Sequence, residues 1–334
     1  MATLPSPAPV AAPPLRPRST AASRRETLTA YLFIAPYLII AGIFTLGLLL
    51  YAFYISFTDL SASYSTRPLN FVGLRNYTRA FGDTQFKITL VNVFWYFLFV
   101  TGIQTVGAIL LALLMNARLK GMRLYRTLFY APSVASSVVI SMIFLWLYLK
   151  TGFINYALGT NIAWLQDSRG LFQLILAPFD VVINSPYLKG PSIAWMSIMF
   201  MAIFTTIPTF MVLFLTALQD IPTQVYEAAS IDGATGMRSF WSITLPLLRP
   251  AITLVIVLGT IGTFQVFDQV AILTKGGPNN TTSTPAYMIY TKTLGEGTQA
   301  QAGYGAALAF LLATIIVILT YIQRRYIERG SDKA

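Results

Sequence analysis

Apolar residues gather into six long stretches, roughly 30–56, 88–115, 127–149, 191–217, 250–274 and 303–323, each 21 to 28 residues long and set apart by polar segments. A hydrocarbon core of ~30 Å needs about 20 helical residues at ~1.5 Å each, so every stretch predicts a membrane-crossing helix. Six crossings put both termini on one side. The apolar piece 171–183 has only thirteen residues and contains Pro178 and Asp180. It predicts an interfacial or re-entrant segment rather than a seventh crossing. Residues 1–23 hold six prolines among Ala, Ser and Thr, and no apolar run follows the arginines within them. That composition cannot bury enough surface to offset chain entropy, so residues 1–27 are expected to form a disordered tail and not a cleaved signal. The expected organisation is an all-α integral membrane chain: the tail, a transmembrane part over 28–326, and a short C-terminal tail at 327–334.

Charge fixes the orientation. Residues 1–29, 116–126, 218–249 and 324–334 together carry 14 Lys and Arg in 83 residues, against 9 in 100 for 57–87, 150–190 and 275–302. The positive-inside rule places the first set, with both termini, on the cytoplasmic side of the membrane. Trp95, Tyr96, Trp146 and Tyr148 then fall toward the outer ends of their helices, where an aromatic belt is expected. Pro36, Pro132 and Pro208 lie inside spans and should bend them, since each removes a helical hydrogen bond.

Composition narrows the chemistry. The chain is 55% hydrophobic and 10% charged, with mean hydropathy +0.64, far from a soluble domain. Its net charge of +11 orients helices and gives no reason to expect nucleic acid. Neither His nor Cys occurs, which excludes His- or thiolate-based metal sites, a Ser-His-Asp triad and a Cys nucleophile. No catalytic or metal-binding residue is assigned. No G-x-x-x-x-G-K-[ST] loop is present either, so energy from ATP must come from a partner.

Across the six spans the single ionisable side chain is Asp268. An intramembrane acid is a candidate functional group, although Asp268 lies only six residues from Thr274 and within reach of the outer surface. Without an intramembrane Lys or Arg, a neutral cargo fits better than a phosphorylated or carboxylated one. Uncharged polar groups concentrate on two helices: Thr205, Thr206 and Thr209 on the fourth, and Thr260, Thr263, Gln265, Asp268 and Gln269 on the fifth. Hydroxyls and amides flanked by Phe204, Phe210, Phe264 and Phe267 are what a sugar would use for its hydroxyls and its C–H faces. Thr in membrane helices also bonds back to its own backbone, which is the competing use of each of these hydroxyls.

The loop 218–249 is the one cytoplasmic loop long enough for structure of its own. Pro222 predicts the start of a helix over about 222–231, and Gly233 predicts its end in a left-handed conformation. Thr235 can cap a second short helix through Met237, Phe240 and Trp241 that stops before Pro246. Ala228 and Ala229 leave a shallow surface for another protein, with Tyr226, Phe240 and Trp241 for bulk.

Glu227-Ala228-Ala229, three residues, Gly233, nine residues, Ile243, one residue and Leu245-Pro246 resemble the EAA loop of the membrane subunits of binding-protein-dependent ABC importers. Phe264-Gln265-Val266-Phe267-Asp268 followed by Leu273-Thr274-Lys275-Gly276-Gly277-Pro278 is similar to the first of the two paired permeases in carbohydrate importers of the maltose and trehalose type. The resemblance covers about residues 28 to 326. It implies a type I ABC importer permease fold and a heterodimer with a second permease. It also implies a homodimeric ATPase that carries ATP and Mg, this chain holding no cofactor, and an extracytoplasmic sugar-binding protein. The implied coupling surface is Tyr226, Glu227, Ala228, Ala229, Asp232, Gly233, Ile243, Leu245 and Pro246. The implied sugar contacts are Thr205, Thr206, Thr209, Gly259, Thr263 and Val266, beside Gln265 and Asp268. The implied cargo is a disaccharide such as trehalose or maltose, or a short oligosaccharide. A polyol or glycerol-phosphate importer is the alternative, and an ATP-independent secondary transporter is the alternative from another class. The loop 57–87 is short, so the binding protein is expected on 150–190 and 275–302.

Overall fold

In lipid the backbone has no partner but itself, so long apolar runs fold as helices. A computed structural model describes residues 20–61, 69–117, 120–179, 185, 187–295 and 300–328 of this chain, and it is helical almost throughout. The chain divides into two units, Met1–Ala52 and Phe53–Ala334.

The described part of the first unit is a single run of helix from Thr20, with Pro36 inside it and a π turn at Gly42–Gly47. It belongs to the span α1, Arg25–Ile55. The helix therefore starts inside the expected tail 1–27, while residues 1–19 lie outside the described residues. From residue 30 to residue 52 it carries no charged side chain, as a lipid-facing helix requires.

The second unit holds α2 (Thr84–Asn116), a bent pair α3 (Met122–Val134) and α4 (Ser137–Leu147), α5 (Ile193–Gln219), α6 (Thr223–Ile231), α7 (Arg249–Phe264), α8 (Asp268–Leu273) and α9 (Ala302–Glu328). Among the described residues five helical spans, α7 and α8 counting as one over Arg249–Leu273, are long and apolar enough to cross a membrane, and the α3–α4 pair makes the sixth crossing only as a broken span bent by 93°. The expected third span 127–149 is thus two pieces. Pro132 deletes one hydrogen bond, Ser133 turns its hydroxyl onto the Tyr130 carbonyl at 2.7 Å, and Ala135 and Ser136 are extended. In contrast, α5 continues through Pro208. Helix α9 runs on to Glu328, past the expected boundary at 326, and residues 329–334 lie outside the described residues. The segment 171–183 contains a short helix at Leu171–Leu176 and a 3-10 turn at Ala177–Phe179, and its last four residues lie outside the described residues.

Three apolar clusters hold the second unit together; the smallest packs Ala80, Phe86, Met288, Tyr304 and Leu308, and the other two are larger. One packs Val93, Val100, Phe144, Trp195, Ile198, Val270 and Leu312 between α2, α4, α5, α8 and α9. The other packs Ala108, Ala112, Met211, Phe214, Leu248 and Val255 between α2, α5 and the start of α7. Small residues let the backbones approach, because hydrophobicity alone gives helices in lipid little reason to associate. A Cβ on Gly107 would come within 2.6 Å of Ile207 Cδ1, and one on Gly303 would strike the Thr58 carbonyl.

Two members of the expected aromatic belt belong to this core instead. Tyr96 stacks on Trp195 at 4.8 Å, and the Tyr148 hydroxyl donates to the Ser197 carbonyl at 2.7 Å. Trp146 remains exposed. At the N-terminal end of α2, Asp83 caps the backbone N–H groups of Gln85 and Phe86 and accepts from the Tyr304 hydroxyl at 2.7 Å. Arg79 lies 4.2 Å from the centre of the Tyr304 ring and donates to Gln301.

Candidate functional site

Helix α7 ends at Phe264, because Gln265, Val266 and Phe267 leave helical geometry before α8 resumes at Asp268. The expected fifth span 250–274 is broken at the stretch where its polar residues cluster. Irregular backbone at membrane depth is tolerated where it lines a cavity and its polar groups are met. Here the Thr284 hydroxyl donates to the Val266 carbonyl at 2.9 Å, and a cavity of about 430 Å³ opens beside the break.

The cavity is built from five helices and the break between two of them. From α7, the break and α8 come Gly259, Gly262, Thr263, Gln265, Val266, Phe267 and Asp268. From α5 come Ala202, Thr206 and Phe210, at spacings of four, which is one helix face. From α2 and α4 come Tyr96, Val100, Gln104 and Ser137. Of the residues singled out from sequence, Thr206, Gly259, Thr263, Gln265, Val266 and Asp268 meet here. Thr205 and Thr209 do not line the cavity: around α5, Thr205 sits about 100° and Thr209 about 60° from Thr206, which does. Thr205 donates to the Met201 and Ala202 carbonyls, and Thr209 is exposed. Phe210 and Phe267 supply apolar wall, whereas Phe264 is buried against Phe97 and Phe204 packs on Phe144.

The lining can make hydrogen bonds of complementary kinds. Thr206 donates to the Ala202 carbonyl at 2.8 Å and Thr263 to the Thr260 carbonyl at 3.0 Å. Their protons are used, and their oxygens are left as acceptors. Gln104 and Ser137 are different: Gln104 Nε2 and Ser137 Oγ are buried with no hydrogen-bond partner, as is Thr101 Oγ1 one turn before Gln104. Among the described residues no Lys or Arg lines the cavity, and Asp268 is the one carboxylate that does. Sequence reasoning missed Tyr96, Gln104 and Ser137 because polar groups isolated in apolar runs look like ordinary packing. The clue in sequence was Gln104, an amide in the middle of the second span. Among the described residues, no three His, Cys, Asp or Glu side chains gather as a metal site would need.

The loop after α5 forms the second candidate site. Helix α6 starts after Pro222 and ends in the two bonds of a Schellman turn, Ala234 N–H to the Ala229 carbonyl at 2.9 Å and Gly233 N–H to the Ser230 carbonyl at 3.2 Å. Gly233 takes φ +75°, the left-handed conformation that its place in the sequence predicts. Exposed on this element are Glu227, Ala228, Ile231 and Asp232. Ala229 is not on that surface. It is 6% exposed and turned inward, on the same side as Tyr226, whose hydroxyl lies 3.2 Å from Thr244 Oγ1.

The second helix of the loop also differs from expectation. The hydroxyl of Thr235 does not cap it; Gly236 occupies the cap position, and Thr235 contributes its carbonyl to the Arg238 N–H. Nor does it stop at Pro246. A π turn at Phe240–Thr244 leads into Leu245–Leu247 and then α7. The π turn takes in an extra residue, and Pro246 falls in the first turn after it, where a missing N–H costs least. Ile243 and Leu245 are half-buried, while Met237 and Trp241 stay exposed.

A family model described as the binding-protein-dependent transport system inner membrane component matches residues 104–331. The chain is 32% identical over 301 residues to the trehalose/maltose transport system permease protein of Thermococcus litoralis, covering 89% of this chain and 92% of that one. It is 30% identical over 309 residues to the sn-glycerol-3-phosphate transport system permease protein of Agrobacterium fabrum, covering 90% of this chain and 94% of that one. In fold it is similar to a chain from the crystal structure of a bacterial ABC transporter involved in the import of the acidic polysaccharide alginate. That likeness has a TM-score of 0.70 at 19% identity and covers 92% of this chain and 97% of the other.

Proposed function

Because this chain belongs to the family of binding-protein-dependent transport system inner membrane components, we propose that it is a permease subunit of an ATP-driven importer for a neutral sugar, such as trehalose, maltose or a short oligosaccharide. The observation that carries the choice of cargo is the cavity beside the broken α7–α8 span. Its acceptors on Thr206 and Thr263, its amides on Gln104 and Gln265 and its aromatic wall suit a polyhydroxylated solute, and no cation is present to hold a phosphate.

The remaining parts follow from the loop. Helix α6 and the segment after it offer a separate ATPase dimer, which binds ATP and Mg, a knob with Ala228 and Ile231 outward on α6 and Met237 and Trp241 outward beyond it. Its Schellman turn and the continuous path through Pro246 into α7 join that knob to the helix whose far end borders the cavity. A push on α6 would thus reach the cavity through α7, which is a route for alternating access. A second permease completes the pathway, and a sugar-binding protein delivers the cargo to the outer loops 150–190 and 275–302. This chain supplies no catalytic group.

Reconstitution in proteoliposomes with those partners, followed by uptake of trehalose, maltose, lactose and glycerol 3-phosphate, tests the reading. ATP-dependent accumulation of at least one disaccharide is expected. Accumulation of glycerol 3-phosphate alone would move the cargo to the alternative class. Uptake without the ATPase would end the importer reading.

A further inference from the structure

We propose that Gln104 is a specificity-determining residue of the cavity, its carboxamide donating to a hydroxyl of the bound solute, and that Gly259 is glycine in order to leave that amide open. The inference rests on the reading of the cavity as a sugar site.

Three observations converge on α2. Gln104 is 1% exposed, lines the cavity, and its Nε2 has no hydrogen-bond partner. An unpaired buried amide is a standing cost, which a chain keeps when something else satisfies it during function. Next, Gly259 on α7 faces it: a Cβ there would lie 2.5 Å from Gln104 Nε2 and 3.2 Å from Thr101 Cγ2. Any side chain at 259 would press on the amide or cover it. Finally, the helix makes a π turn at Phe97–Thr101, immediately before this face. Such bulges rotate the residues that follow, and they recur at functional sites. Here Thr101 and Gln104, three apart, are brought to the same side against Gly259.

The chemistry complements the rest of the lining. Thr206 and Thr263 have spent their protons on their own helices, so they can accept from a solute hydroxyl but not donate. Gln104 supplies a donor on the opposite wall. A solute with a hydroxyl there satisfies the amide, while one lacking it leaves the amide unpaired and is rejected.

The test uses the full reconstituted complex and whichever of trehalose, maltose and lactose the wild type accumulates. Sugar taken up per ATP hydrolysed is measured for Gln104→Met, which keeps the side chain's length and apolar bulk, for Gln104→Asn, and for Thr263→Val as a control on the opposite wall. The expected result for Gln104→Met is a loss of about three- to tenfold in uptake per ATP, with complex assembly and ATP hydrolysis unchanged. Gln104→Asn should recover part of the loss, and Gly259→Ala should reproduce it. A purely structural amide would lower assembly and ATP hydrolysis together, which would overturn the proposal. Normal uptake in Gln104→Met with a deficit in Thr263→Val would overturn it while leaving the cavity reading intact. Normal uptake in all of these variants, or no disaccharide uptake in the wild type, would overturn both.

Discussion

Replacing Gly233 isolates the conformation of one residue in the loop that we propose the ATPase engages. Its φ of +75° costs an L-residue about 1–2 kcal/mol in backbone strain, and a β-branched residue more. A Cβ at this position would meet nothing within 4 Å, so the strain is not compounded by a clash inside this chain. The unfolded chain also loses freedom when glycine is replaced, which offsets roughly 0.4–1 kcal/mol. The net is roughly 0.5–1 kcal/mol for Gly233→Ala and about 2 kcal/mol for Gly233→Val. These correspond to about three- and thirtyfold shifts against the Schellman turn. Gly233→Asn, which tolerates the left-handed region, should be nearly neutral. Co-purification with the ATPase and ATP-driven uptake, read across Gly, Asn, Ala and Val, should fall in that order while the thermal stability of the permease itself barely moves. If Val couples as well as Gly, the turn is not what the ATPase grips. If Asn fails as badly as Val, a partner atom against residue 233 is responsible and the backbone reasoning is wrong.

The remaining predictions address the two faces of α6, the acid in the cavity and the outer clasp. Ala228→Trp, on the exposed face, should abolish capture by the ATPase without lowering the permease's own Tm; Ala229→Trp, at a site 6% exposed, should overpack the loop, destabilising it by about 1–3 kcal/mol and lowering Tm before any partner is added. Asp268→Ala should reduce sugar uptake per ATP severalfold with ATPase binding intact, and loss of binding instead would make Asp268 a structural residue. Burial raises the pKa of Asp83, but hydrogen bonds from Tyr304 and from the backbone of Gln85 and Phe86, with the charge of Lys292, together hold it below the usual carboxylate range. Because the folded value is depressed, that stabilisation is complete above the unfolded pKa of about 3.9 and is lost as pH falls through the folded value. Permease Tm should therefore be flat from pH 8 to 5 with respect to this group and drop below about pH 4, with a smaller drop in Asp83→Asn; an identical acid profile in that variant would exclude the clasp.

What was legible in the sequence follows the physics that each feature depends on. The spans were legible because lipid forces an apolar run to form helix wherever it lies. The end of α6 was legible because Gly233 is required locally, by one dihedral angle. The break between α3 and α4 was only half legible. Pro132 signalled a bend, but the 93° turn also needed Ser133 to take a backbone carbonyl and Ala135 and Ser136 to extend. Rotation about a helix was the main thing that could not be read. Thr205 is one step of about 100° from Thr206 and Thr209 lies about 60° from it, and which of them faces the cavity depends on how α5 packs against α2. Likewise, Ala229 and Ala228 carry the same side chain and differ only in which points at Tyr226 and Thr244.

The same reasoning explains why Gln104 was overlooked. A lone amide in an apolar helix has no periodicity of its own, and its meaning comes from two features that sequence spacing does not reveal. One is the π turn at Phe97–Thr101, which shifts the face after it, and the other is the missing Cβ of Gly259 on a helix about 155 residues further along the chain. Polar residues that cluster in sequence marked the α7–α8 break because they are local to it. Polar residues that cluster only in space mark the opposite wall. A cavity between packed helices must be lined by both kinds, so a reading confined to one span finds at most one wall of the site.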